Sequence, residues 1–155
     1  CSDPRDVEAR RNVLYGAHFA GRGLNAGVVL GHSIGYTIAN RTSIAHGISC
    51  AMALPYCLRY ERSNGDGAVT EIAVQTLGVA DADALVAWLF QLNRDLGVPR
   101  NLAAAGIVAP HAAEMARECL ERYPRPNNPT PLELGRLTAL YEAMRDGDLA
   151  TGAIA

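Results

Sequence analysis

The chain has 155 residues and a formal net charge of -2, and its 14 cationic side chains are all arginine. These arginines are scattered and form no basic stripe, so the sequence argues against a nucleic-acid partner. The length suits one domain that buries roughly two thirds of its unfolded surface. The 4 cysteines form neither a CxxC pair nor a dense disulfide framework, which favours a reducing compartment.

Membrane insertion is not expected. The longest apolar run, ISCAMALPYCL, is too short for a membrane helix of ~20 residues and is interrupted by Pro55. The charged opening residues CSDPRDVEARR show no signal peptide. We therefore expect a soluble, cytoplasmic protein with no membrane partner.

Hydrophobic side chains recur at a helical period through the first half of the chain. Residues 4–22 predict a largely polar helix with a weak apolar stripe. Residues 24–39 are apolar on nearly every side, which is typical of a buried central helix. A turn at residues 40–43 should follow. A third helix is predicted from His46 to about Tyr60, bent or shortened by its proline.

The stretch RSNGDG predicts a loop that separates this half from a second helical half. There, ADADALVAWLFQLNRDLGVP predicts a helix that is capped by Asp81 and stopped by Gly97 and Pro99. The predicted apolar face of this helix consists of Leu85, Trp88, Leu89, Leu92 and Leu96.

Two more helices complete the prediction. One covers residues 110–123. After a connection rich in proline and asparagine, Thr130, Pro131 and Glu133 predict a capping box for a last helix that ends near Arg145.

The predicted fold class is all-α, a helical bundle with at least five helices. No segment alternates convincingly at period two, and no glycine-rich strand-to-helix turn of the dinucleotide-binding kind is present. We assign residues 1–146 to one helical domain and residues 147–155 to a frayed C-terminal tail.

Two histidines lie in the stretch LNAGVVLGHSIGYTIANRTSIAHG, where His32 and His46 are fourteen positions apart. A buried imidazole needs a hydrogen bond, a charge or a metal. If the turn folds the third helix back, the ring nitrogens of this pair should lie about 3 to 4 Å apart, as bonds near 2.1 Å to one metal require. The alternative is a structural, hydrogen-bonded role, which we assign to His18 and His111.

The helix predicted to carry His32 also carries a glycine row at Gly27, Gly31 and Gly35. Such a row leaves a smooth face that a backbone or ligand can approach closely, although close helix packing explains it equally. Asn25 and Tyr36 share a neighbouring polar face with this histidine.

The segment from LNAGVVLGHSIGYTIAN to HGISCAMALPYCLRY resembles the histidine-bearing motif of the iron-containing alcohol dehydrogenase family. Its asparagine and glycines, its first histidine, and its second histidine followed by glycine and Leu-Pro-Tyr match that pattern. LFQLNRDLGVPRNLAAAGI and NNPTPLELGRLTALYEA resemble the later helices of the family in the same order. The resemblance covers nearly the whole chain and implies the C-terminal part of the dehydroquinate synthase-like helical domain.

The resemblance also implies a metal. In this family one Asp and three His hold a divalent ion, usually iron or zinc, beside a dinucleotide-binding domain. His32 and His46 match two of these ligands, which makes residues 1–146 a partial metal-binding domain. The Asp and the third His, in a DxxxH motif, are expected before Cys1. In the complete enzyme the metal would polarise the substrate oxygen while hydride passes to or from NAD or NADP.

The other site residues follow from the same resemblance. Many members carry a further histidine four residues after the first of these ligands, where this chain has Tyr36. Its phenol, with a reference pKa of about 10, can donate a hydrogen bond to an alkoxide but is a poor base at neutral pH. Tyr36 is therefore our catalytic candidate, with cavity lining as the alternative. Asn25 is expected to support a ligand from outside the metal shell, and Gly31, Gly35 and Gly47 to let backbones close around the cleft.

The expected substrate is a small alcohol, aldehyde or oxo acid, and a homodimer is a possible assembly. We expect the isolated chain to be inactive, to bind iron or zinc weakly and not to bind a dinucleotide. Three alternatives stay open: a maleylacetate reductase, whose doubled histidine is absent here because position 31 is Gly; a sugar-phosphate cyclase or glycerol dehydrogenase; and a non-catalytic helical interaction module.

Overall fold

The computed structural model describes residues 3–62 and 67–149, and the regular structure in these residues is helical. The elements in chain order are α1 (Val7–Arg22), a 3-10 turn (Gly23–Ala26), α2 (Leu30–Ala39), α3 (His46–Glu61), α4 (Gly67–Leu77), α5 (Ala82–Asp95), α6 (Ala112–Arg122) and α7 (Leu134–Asp146). The all-α prediction is confirmed. None of the helices in the described part is long and apolar enough to cross a membrane.

Four helices surround the core. α2 packs against α3, α6 packs against α7, and the two pairs meet where α2 contacts α6 and α3 contacts α7. α5 covers α3, and α4 lies on α5. The largest fully buried side chains are Leu30, Ile34, Ile38, Tyr56, Tyr60, Leu102, Met115, Leu137, Leu140, Tyr141 and Met144. Burial of these side chains, at roughly 1.5–3 kcal/mol each for an aliphatic one, is the main force that holds the four helices together.

α1 confirms the first predicted helix. It begins after Asp6, whose carboxylate accepts a hydrogen bond of 2.9 Å from the Ala9 amide. Among the residues described, α1 packs only against the 3-10 turn that follows it. Its apolar side chains, such as Leu14 and Phe19, are consequently exposed.

α2 is shorter than the sequence predicts. The chain from Gly23 to Ala26 forms a 3-10 turn. Gly27 then adopts a φ of +91°, a conformation that glycine takes readily but that cannot continue an α-helix. α2 therefore starts at Leu30 rather than at residue 24. The residues of α2 are mostly buried, as predicted. Asn25 and Gly27, which were predicted to lie in this helix, precede it.

α3 continues through Pro55 to Glu61 and is not shortened. A proline has no N–H to donate, so the carbonyl of Ala51, one turn earlier, loses its helical partner. The side-chain amide of Asn93 on α5 donates a hydrogen bond of 2.7 Å to that carbonyl. This contact completes the backbone of α3 and fixes α5 against it.

α5 starts as predicted, because the Asp81 carboxylate accepts a 2.8 Å hydrogen bond from the Ala84 amide. Its buried face differs from the prediction. Leu85 is buried together with Ala82 and Val86, whereas Trp88 is exposed. The sequence analysis also missed α4, and most of the predicted RSNGDG loop lies outside the described residues.

The predicted capping box of α7 is wrong. α7 begins at Leu134, and neither Thr130 nor Glu133 caps it with its side chain. The Thr130 hydroxyl instead donates to the carbonyl of Glu61 at 3.2 Å, and the Glu133 amide donates to the Tyr60 hydroxyl at 3.0 Å. The connection between α6 and α7 is thus bound to the end of α3.

Residues 147–149, the described part of the predicted C-terminal tail, contact the rest of the fold. Gly147 adopts the left-handed conformation, with a φ of +69°, and its amide donates to the Ala143 carbonyl at 2.9 Å. Leu149 packs against the core, and Arg59 donates to its carbonyl. Residues 150–155 lie outside the described residues, and the division of the chain at residue 146 stays a prediction.

Asn128 places the start of α2. Its side-chain oxygen accepts a hydrogen bond of 2.9 Å from the Leu30 amide, one of the N–H groups that a helix start leaves without a partner. Its side-chain nitrogen lies 2.7 Å from the Glu61 carboxylate and 2.7 Å from the Thr130 carbonyl. One buried amide therefore joins the beginning of α2 to the end of α3.

We predict that Asn128→Asp destabilises the protein by about 2–3 kcal/mol, because a donor that serves two acceptors becomes a second carboxylate oxygen beside Glu61. Asn127→Asp is the matched control, since Asn127 is exposed and donates one longer hydrogen bond of 3.3 Å to Val28. Urea denaturation followed by circular dichroism measures both variants. Equal midpoints for the two would contradict this role of Asn128.

Candidate metal centre

Two histidines meet where α2 lies against α3. His32 is in the first turn of α2, and His46 is the first residue of α3. The predicted turn after α2 is present, and it brings the two imidazole rings to a centroid distance of 5.4 Å with an interplanar angle of 58°. The structure thus brings together the two residues that the sequence singled out.

The close approach of α2 and α3 depends on Gly35. A Cβ atom at this position would lie 2.6 Å from the Cys50 sulfur and 3.3 Å from Cε1 of His46. The Ser49 hydroxyl, on α3, lies 2.9 Å from the Gly35 carbonyl and so connects a side chain of α3 to the backbone of α2. Gly35 therefore keeps open the space that the side chains of α3 occupy at the site.

A third donor, Cys50, joins the two histidines. Its sulfur lies 3.4 Å from Nε2 of His46, and one ligand atom from each of the three residues lies within 4.8 Å of the others. The sequence analysis missed this cysteine, because it considered the four cysteines only as a group. The signal was present, because residues four apart on a helix share a face and His46 and Cys50 have that spacing.

The electrostatic surroundings favour the uncharged forms of His32 and Cys50. Burial, and then the charges of His46 and Arg125, lower the pKa of His32, so its imidazole is neutral at neutral pH, as a ligand must be. Burial raises the pKa of the Cys50 thiol, so without a cation it keeps its proton. Nδ1 of His46 is buried and has no hydrogen-bond partner among the described residues.

Tyr36 lies one turn after His32 and stacks on the second histidine. Its ring is nearly parallel to that of His46, with a centroid distance of 4.7 Å and an angle of 15°. The guanidinium of Arg125 lies 5.9 Å from the centre of the same ring. The stacking fixes the plane of the His46 imidazole, and whether the phenol also takes part in proton transfer stays a prediction.

The other sequence candidates lie away from this cluster. Asn25 is exposed in the 3-10 turn and no longer shares a helix with His32. His18 is exposed on α1, and His111 is exposed at the position before α6, where its side chain does not cap the helix. A Cβ atom added at Gly47 would have no heavy atom of the described residues within 4 Å, so no close approach requires this glycine.

An apolar groove of about 300 Å³ lies beside the donors. Its walls include Val29, Leu30, Ala51, Leu54 and Leu58, and His32 and Cys50 form part of its lining. A small molecule with a hydrocarbon part can lie in this groove with a polar group next to the cluster.

The donor set fits a transition metal. Neutral imidazole nitrogens and a sulfur suit zinc, iron or cobalt, whereas magnesium and calcium prefer oxygen ligands. The Cys50 sulfur lies 3.4 Å from Nε2 of His46, and ligand atoms of His32, His46 and Cys50 all lie within 4.8 Å of one another, which is consistent with one shared ion.

Comparison with known protein families shows which family this chain belongs to. A family model described as the C-terminal part of the Fe-containing alcohol dehydrogenase family matches residues 1–145. The chain belongs to this family. Its prediction from the sequence is confirmed, and the helical architecture agrees with it.

Members of the Fe-containing alcohol dehydrogenase family that resemble this chain are oxidoreductases. A maleylacetate reductase of Burkholderia cepacia is 33% identical over 94% of this chain and 40% of its own length. A lactaldehyde reductase of Escherichia coli K12 is 27% identical over 88% of this chain and 38% of its own. The crystal structure of an iron-containing alcohol dehydrogenase from Corynebacterium glutamicum superposes with a TM-score of 0.78 and 30% identity, over 94% of this chain and 40% of that one. The chain therefore spans about two fifths of the length of these relatives.

We predict that Gly35→Ala destabilises the protein by about 1–3 kcal/mol, because the new methyl group overlaps the Cys50 sulfur. In the same helix, Gly31→Ala should be neutral or stabilising, by up to ~1 kcal/mol, since its Cβ would meet only the Cys57 sulfur, at 3.9 Å. Thermal and urea unfolding of both variants measure the difference. A stable Gly35→Ala variant would show that α2 and α3 do not need glycine at their contact.

Proposed function

We propose that this chain is the metal-bearing helical part of an NAD(P)-dependent alcohol dehydrogenase of the iron-containing type. The observation that carries the proposal is the convergence of His32 and His46, whose ring centroids are 5.4 Å apart at the contact of α2 and α3. Membership of the family supports the same reading, and so does the approach of ligand atoms of His32, His46 and Cys50 to within 4.8 Å of one another.

The residues of the cluster have separate tasks in this proposal. His32 and His46 would hold the metal, as neutral imidazoles. When bound, the ion would supply Lewis acidity, which polarises the oxygen of an alcohol or carbonyl substrate. Tyr36 holds the plane of the His46 ring by stacking, and its hydroxyl would donate a hydrogen bond to the substrate oxygen.

The groove next to the cluster completes the proposed site. Its apolar walls would bind the carbon chain of the substrate and exclude water from the reacting oxygen. The hydride would pass to or from NAD or NADP, which a nucleotide-binding domain outside this chain would hold. The chain alone should accordingly not oxidise alcohols.

We predict that removing one imidazole by His46→Ala weakens zinc binding to the 155-residue chain by at least about 10-fold, the lower limit for losing even an outer partner of a ligand. Tyr36→Phe is the matched control, because it keeps the ring that stacks on His46 and removes only a hydroxyl that is a poor ligand. Isothermal titration calorimetry measures both variants.

The same two variants separate metal binding from catalysis in the enzyme that carries this helical domain. His46→Ala should abolish alcohol-dependent formation of NAD(P)H, whereas Tyr36→Phe should lower the rate and leave the bound metal in place. Unchanged zinc affinity in His46→Ala would overturn the proposed site.

A second candidate function, reduction of an oxo acid, is favoured by Arg125. Its guanidinium lies 5.9 Å from the centre of the Tyr36 ring and is close enough to His32 to lower the pKa of that imidazole. Nε of Arg125 is buried and has no hydrogen-bond partner in the described part of the chain. A cation in this position would bind the carboxylate of an oxo acid whose carbonyl faces the cluster.

We predict that Arg125→Gln raises the KM of the carrying enzyme for an oxo acid by about 10-fold or more, since a charge-assisted hydrogen bond contributes roughly 1.5–3 kcal/mol. The KM for an uncharged aldehyde should not change. Steady-state kinetics with one substrate of each kind provide the test. Equal changes for both substrates would exclude Arg125 as a carboxylate-binding residue.

A further inference from the structure

We infer that Cys50 is a third metal ligand, so that this chain offers two nitrogens and one sulfur to a thiophilic divalent cation such as zinc. The inference rests on the proposed function, because it requires that His32 and His46 bind the metal. It goes further in assigning to Cys50 a role that the resemblance does not supply, and it specifies the class of ion.

The distances fit one shared ion. With metal bonds of about 2.1 Å to nitrogen and 2.3 Å to sulfur, two tetrahedral ligand atoms lie about 3.6 Å apart. The Cys50 sulfur and Nε2 of His46 are 3.4 Å apart, and all three donors lie within 4.8 Å of one another. Small side-chain rotations bring the widest pair to the required separation.

Core packing does not account for the position of Cys50. Cys57 and Cys119 are buried in the hydrophobic core, whereas Cys50 is half-buried at the edge of the groove, on the side of the imidazoles. Its sulfur occupies the place that any Cβ at residue 35 would meet, at 2.6 Å. The glycine of α2 thus makes room for a sulfur that points toward both histidines.

The chemistry of sulfur determines which ions this site would select. A thiolate favours zinc and cobalt over magnesium and manganese, which prefer oxygen ligands. The thiol proton passes to the solvent when the sulfur binds the ion, and the negative charge that remains offsets part of the charge of the dication. A site made of two neutral imidazoles has no anionic ligand. The Cys50 thiolate would supply one negative charge to the site within this chain.

Cobalt(II) is the probe, because a thiolate bound to cobalt produces a charge-transfer band in the near ultraviolet and imidazole ligands alone do not. The 155-residue chain, kept reduced and free of oxygen, is titrated with cobalt chloride while both the near-ultraviolet and visible spectra are recorded. We expect the charge-transfer band to rise together with the visible cobalt bands. Cys50→Ser should remove the charge-transfer band and weaken cobalt binding by at least about 10-fold.

Cys57→Ala is the matched control, because this cysteine lines the same groove but lies outside the cluster. It should keep both the band and the affinity, and circular dichroism without metal should show that both variants fold. A charge-transfer band that survives in Cys50→Ser overturns the inference. Visible cobalt bands without charge transfer in the unaltered chain overturn it too but leave the imidazole site intact, whereas no cobalt spectrum at all overturns both proposals.

Discussion

The contact between α2 and α3 at Gly35 is the constraint on which the site depends. It brings His32 of one helix and His46 of the next to the same point, and it leaves room there for the Cys50 sulfur. A methyl group at residue 35 would meet the Cys50 sulfur at 2.6 Å and the His46 ring at 3.3 Å, so both side chains would have to move from the positions they hold at the site. The Ser49 hydroxyl lies between the two helices, 2.9 Å from the Gly35 carbonyl of α2 and 2.7 Å from the His46 carbonyl of α3.

Two asparagines that are distant in the sequence form hydrogen bonds with backbone groups of the helices that carry the site. Asn128 accepts the hydrogen bond of the Leu30 amide at the start of α2, and Asn93 donates to the carbonyl of α3 that Pro55 leaves without a partner. Both contacts satisfy backbone groups that would otherwise be buried without a partner, at a cost of about 1–3 kcal/mol each. The position of the cluster therefore depends on backbone groups of α2 and α3 that lack a helical hydrogen bond. Side chains from α5 and from the connection before α7 form hydrogen bonds with these groups.

The chemistry at the cluster combines features that the family relationship implies with features that the structure adds. His32 and His46 lie within the residues that match the Fe-containing alcohol dehydrogenase family. Tyr36, Cys50 and Arg125 give the surroundings of that pair a stacked phenol, a sulfur and a cation. In the site that we propose, these three groups would affect, respectively, the orientation of a ligand, the preference among metal ions and the charge of an acceptable substrate.

The helical period of the sequence was sufficient to predict α1, α3, α5, α6 and α7, and the motif around the two histidines was sufficient to predict the family, because both signals are local. The start of α2 and the cap of α7 were predicted wrongly, since Gly27 takes a conformation that no local pattern required and Thr130 bonds to the end of α3 instead of capping its own helix. Cys50 has the helical spacing that relates it to His46, but only the packing of α2 on α3 adds His32 to that pair. The sequence by itself determined the periodic elements and the identity of the paired histidines. The tertiary structure decided which backbone groups of the helices receive hydrogen bonds from distant side chains. It also decided which metal-binding side chains lie together, because these contacts join residues that are far apart in the chain.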